Sequence, residues 1–124
     1  MAVVMQATAQ VKQGKTRPAK TKQLMKGLVA ANCGALGEAL KSDPADDKAW
    51  EDLALKAALL NEASYILMDD GRCPDGDWEN AAMKLREGSE TVLAKVEARD
   101  LAGAQESFKA LTQACGACHK AHKK

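Results

Sequence analysis

From residue 78 onward the apolar positions recur at helical spacing. Trp78, Ala82, Leu85, Ser89, Val92 and Val96 advance by alternating steps of four and three, and Leu101, Ala104, Phe108, Leu111, Cys115 and Cys118 by steps of three and four. Such alternation turns one stripe of a helix towards a core. Earlier in the chain, counting about 100° per residue from Met25, the residues Leu28, Val29, Asn32 and Leu36 share an arc, which Leu40 extends. Start signals divide the pattern into four helices. Pro18 suits a first helical position, where its missing N–H costs nothing, and opens a helix to about Lys41. Asp43-Pro44, with Asp46 and Asp47 in the next turn, opens a second to about Asp69. The segment DDGRCPDGD breaks the chain, Asp77 caps a third helix to about Ala98, and Asp100 caps a fourth. No alternating strand pattern occurs. Short connections between long helices predict an all-α, up-down-up-down antiparallel four-helix bundle over residues 18–124, after a flexible segment at 1–17.

Composition adds a constraint on the core. The 124 residues can bury a real core, and 46% hydrophobic with 28% charged residues is ordinary for a globular domain. Aromatics make up only 3% of the chain, so aliphatic side chains or something other than protein must fill the volume. The net charge of +1 argues against nucleic acid as a partner. It is unevenly spread: Lys12, Lys15, Arg17, Lys20, Lys22 and Lys26 fall in a region without acids, and acids dominate from Glu38 to Glu79. Most of these charges read as solvated faces. No stretch reaches the roughly 18–20 apolar residues that span a membrane, so stable membrane insertion is not expected. Ala7-Thr8-Ala9 after apolar Ala2 to Met5 has the small-x-small form of a signal-peptidase site but is too short for a whole signal: it reads either as the tail of an export signal or as an ordinary disordered terminus.

The chemistry is concentrated in Cys115-Gly116-Ala117-Cys118-His119. C-x-x-C-H is the attachment signature of c-type haem. On a helix, positions i, i+3 and i+4 share a face, so both thiols reach the vinyl groups of one porphyrin while the imidazole meets the iron. A thioredoxin-like redox pair would need a βαβ context that this chain lacks. A zinc site of Cys115, Cys118, His119 and His122 would crowd four ligands into eight residues and close a tetrahedron poorly. His122 reads as a surface or haem-edge residue.

A C-x-x-C-H on the last of four amphipathic helices resembles the class II cytochromes c, the cytochrome c′ family. The resemblance spans about residues 18–124. It rests on that motif, on a basic residue four beyond the His (Lys123), and on Lys20 to Lys26, K-T-K-Q-L-M-K, which looks like the segment supplying a Met ligand in the low-spin branch. In an up-down bundle Met25 and His119 fall at similar depth, although without the resemblance Met25 reads first as core filler. The resemblance implies ligation by Met25. The expectation is therefore a periplasmic electron carrier and not an enzyme, with one covalent haem c, His119 and Met25 as axial ligands, and redox proteins as partners. A five-coordinate haem binding NO or another small gas is the alternative.

Two features lie outside the motif. Cys33 and Cys73 are left over, and about 20 Å of helix should separate them, so no bridge between them is expected. Opposite the apolar arc of the first helix, Gly27, Ala30, Gly34 and Gly37 form a small-residue stripe. Three glycines there cost about 2–3 kcal/mol, which either a homodimer through this helix or relief of crowding against a neighbouring helix or the haem would explain.

Overall fold

The computed structural model describes residues 11–122, and the side chains of all of these except 117, 118, 121 and 122. Four helices and no strand occur among them. Helix α1 has three continuous pieces: α-helical Thr21–Leu24, π-helical Met25–Ala30 and α-helical Ala31–Ala39. Then follow α2 (Asp47–Ile66), α3 (Gly76–Glu97) and α4 (Leu101–His122).

Aspartates set three of the four starts. Asp46 is extended and its carboxylate accepts from the Ala49 N–H at 2.9 Å, so α2 begins after Asp46 and not at Pro44. Asp75 does the same for the Trp78 N–H, which makes Asp75 the cap of α3 and leaves Asp77 in its first turn. Asp100 accepts from Gly103 N–H as expected. The α3–α4 corner is tight. Arg99, in the left-handed region at φ +57°, donates its N–H to Val96 O, and Asp100 donates to Lys95 O. A side chain in this conformation costs about 1–2 kcal/mol. Here Arg99 is tied to α2 by an ion pair with Asp47 at 2.8 Å and lies over the Trp50 ring.

The core runs through all four helices. Leu36, Leu53, Ala57, Leu60, Val92, Val96, Ala104 and Leu111 are buried, and α3 buries all six positions of its stripe, Trp78 to Val96. Neighbouring helices are antiparallel. Trp78 Nε1 donates to Leu67 O at the end of α2, while Asn61 and Ser64 meet Arg86 further along. Gly88 of α3 lets Leu111 of α4 approach closely. Helix α1 packs along α2 and has a sparser contact with α4. There Gly37 lies against the Phe108 ring and Gln105 donates to Leu40 O at 2.6 Å. The start of α1, the end of α2, the start of α3 and the end of α4 thus share one end of the bundle.

Candidate functional site

Helix α4 delivers the C-x-x-C-H segment to that shared end. Ala104 and Leu111 are buried, Leu101 and Phe108 are half-buried, and Cys115 continues the stripe, half-buried against the core. His119, one turn on, is exposed. The Cys118 and His122 side chains, Lys123 and the signal-like residues 2–9 lie outside the described residues. Among the described residues no three His, Cys, Asp or Glu side chains gather to hold a metal ion.

Met25 is half-buried on the edge of the same core, with Leu24 and Leu28 beside it. Antiparallel helices exchange one residue for one along their length. Carried from the Gly37–Phe108 contact, with the π turn taking up about one residue, this register sets Met25 at about the level of His119. Met25 also opens the π-helical turn, a feature found disproportionately at functional sites and not visible in the hydrophobic pattern. The donor types are those a haem would take: a helix end bearing two thiols and an imidazole, a thioether at the same end of the bundle, and half-buried apolar Leu24 and Leu28 beside that thioether.

The π turn corrects the small-residue stripe. Its i→i+5 pattern inserts about one extra residue per turn, so positions beyond Ala30 do not follow a wheel drawn at uniform spacing. Gly37 faces α4, where a Cβ would come within 3.0 Å of the Phe108 ring. Gly27 and Gly34 border open space.

The approach to α1 holds contacts that sequence reasoning missed. Residues 12–17 belong to the segment expected to be flexible. Here the Thr16 N–H donates to both carboxylate oxygens of Asp70 at 3.1 and 3.0 Å, and the Thr16 hydroxyl (2.7 Å) and Arg17 N–H (2.9 Å) donate to the same carboxylate. The Lys15 N–H donates to Asp70 O, and buried Thr21 bonds Lys12 O and the Gln13 side chain. These donors hold the Asp70 carboxyl well below the usual carboxylate range, the Arg17 and Thr16 bonds first among them. Asp70 sits at φ +61° beside Gly71 at φ +77°, a turn that aims its carboxylate at the strap.

Beneath it Arg72 is fully buried. It donates to Ile66 O at 3.1 Å and to Ala19 O at 3.0 Å, and its Nε has no hydrogen-bond partner. A cation there complements the C-terminal end of α2 and ties it to the entry of α1. An aspartate-rich loop gave no sign of a buried arginine. Cys33 and Cys73 are free thiols. Burial raises the Cys33 thiol above its ordinary value, and Cys73 donates to Asp75 O at 3.3 Å.

No protein family, curated protein or solved structure matches the chain.

Proposed function

We propose that the chain is a single-haem electron carrier whose haem is attached through Cys115 and Cys118 and ligated by His119 and Met25. The observation that carries the reading is that two elements fall at one end of the bundle. Cys115 of the C-x-x-C-H segment packs against the core there, and Met25 packs against the same core where α1 changes to a π turn. Bound there, haem supplies a one-electron iron couple, and Met/His ligation raises its potential.

The chain's own residues would divide the work. The Cys115 and Cys118 thiols would fix the porphyrin covalently, and His119 and Met25 would hold the iron. Leu24 and Leu28, half-buried beside Met25, would keep water from the site. Ligands from two helices would limit rearrangement on electron transfer. The working compartment is an exported one, such as the periplasm, and the partners are redox proteins. No helix among the described residues is long and apolar enough to cross a membrane. A homodimer through α1 rests on a narrower stripe, Gly27, Ala30 and Gly34. Light scattering at micromolar concentration should find a dimer, and a monomer removes it.

The test combines mass, extraction and spectrum. Intact mass should exceed the chain by one haem, and acid-acetone should leave the colour on the protein; complete extraction overturns covalent attachment. The absorption spectrum should be low-spin in both oxidation states. Met25→Ala should open the sixth position and admit CO. A ferrous spectrum unchanged by the substitution removes Met25 from the site, and a high-spin spectrum of the unaltered protein transfers the proposal to gas binding.

A further inference from the structure

Six cations fall within the fifteen residues from Lys12 to Lys26 with no acid among them: Lys12, Lys15, Arg17, Lys20, Lys22 and Lys26. All six are exposed. None enters an ion pair among the described residues, so the whole run presents unneutralised charge; elsewhere Lys41, Lys48, Lys95 and Arg99 are paired with carboxylates, and Lys56, Lys84, Lys109 and Lys120 stand singly. Read as sequence, this run is a loose basic arm. In the fold it is not loose. Asp70 takes the Thr16 and Arg17 amides and the Thr16 hydroxyl, Thr21 takes Lys12 O, and Arg72 takes Ala19 O. The strap is bonded at both ends and in the middle, and it leads into α1, which carries Lys22 and Lys26. Exposed Lys120 of α4 lies at the same end of the bundle.

We infer that the strap and the first turns of α1 form a preorganised cationic docking surface for an acidic patch on a partner protein. Pinning the backbone before the encounter lowers the ordering cost of binding, and an array of one sign steers association. A discrete acidic patch fits better than an anionic membrane for two reasons. Exposed Asp69, Asp77 and Glu79 share this end of the bundle, so a uniformly anionic plane would meet like charges beside the cations. The strap also offers the bilayer little to bury, Val11 being its one large exposed apolar residue among those described. Identifying this partner with the electron-transfer partner rests on the haem reading; the surface itself does not.

Amide chemical shifts of the full chain, titrated with a peptide of about twelve glutamates, test this. Shifts should concentrate on residues 12–26, and the affinity should fall steeply with salt. Joint reversal of Lys12, Lys15, Lys20 and Lys22 to Glu should weaken binding about tenfold or more. Shifts of equal size around Lys84 and Lys109 would overturn the surface. So would tighter binding to vesicles containing phosphatidylserine than to the peptide.

Asp70→Ala separates preorganisation from charge. It removes a negative charge beside the array while keeping every cation, so charge alone predicts tighter binding. A preorganised array predicts binding weaker by about fivefold with helix content unchanged. Tighter or unaltered binding overturns the preorganised surface. Thr16→Val, which removes the hydroxyl donor and changes no charge, should weaken binding in the same direction; no effect in a folded Thr16→Val protein also counts against it. Covalent haem is read separately by mass, so failure here leaves that reading standing, and the reverse.

Discussion

Leu111 is the side chain on which α3 and α4 close, one turn before Cys115, and its truncation should be costly. It is 1% exposed, and its Cδ1 sits only 3.0 Å from where a Cβ on Gly88 would be. Leu111→Ala removes three carbons, about 2.4 kcal/mol of transfer free energy at about 0.8 kcal/mol each. A cavity term adds to this, and Gly88 has no side chain with which to fill the space. The expected loss is about 3–4 kcal/mol. Urea unfolding should show it as a lower midpoint at unchanged slope, and heating as a fall in Tm of about 10–20 °C.

The partner substitution sharpens the test. In the parent protein Gly88→Ala gains about 1 kcal/mol of helix propensity but crowds Leu111, with little or no net gain. In the Leu111→Ala background the crowding is largely relieved and the new methyl fills part of the cavity, so the same change should stabilise by about 1 kcal/mol or more. A loss below about 1.5 kcal/mol for Leu111→Ala would refute this account of the packing, as would equal effects of Gly88→Ala in the two backgrounds.

Further expectations follow from the caps, the strap and the half-buried Cys33 thiol. Asp46→Ala should cost about 1 kcal/mol in denaturant unfolding by leaving the Ala49 N–H without its acceptor. The folded Asp70 carboxyl is depressed, so its contribution is fully present above the unfolded value of about 3.9 and is lost as pH falls through the lowered one. Protection of the Thr16 and Arg17 amides from exchange should therefore hold from pH 7 to below about 4, and its disappearance by about pH 5 would contradict the assignment. Burial raises the Cys33 thiol, so its alkylation should climb at higher pH in the folded protein than in the urea-unfolded chain; matching profiles would show the thiol to be solvated.

Periodicity made α3 legible because its stripe is uninterrupted: the six positions from Trp78 to Val96 are those that the helix buries. In α4 the same alternation placed Cys115 at the core edge. The starts were legible to within a turn and no better. Two aspartates lie two residues apart at 75 and 77, either can cap, and only the extended backbone at Asp75 distinguishes them. Helix α1 departs furthest from its pattern, because a wheel of uniform spacing cannot register a π turn, and Gly37 was assigned to the wrong side for that reason. The Asp70–Arg72 clamp was illegible since it depends on a left-handed residue in a loop and on partners more than fifty residues away in sequence. Of the candidate site, the C-x-x-C-H segment was plain in the sequence, while the π turn opening at Met25 came from the fold alone.

The turn at Met25–Ala30 also reconciles two seats that a regular helix could not serve together. Thr21 is buried under the strap and Val29 in the core, eight residues apart. Eight residues of regular α-helix overshoot two full turns by about 80°, which would swing one of the two side chains away from its seat. The wider turn absorbs most of that excess. Its surplus residue is a phase correction, and α1 behaves as two helices keyed separately, one to the strap and one to the bundle. Deleting a residue within the turn would leave the C-terminal half seated and rotate everything before it by about 100°, carrying Met25 off the core it packs against.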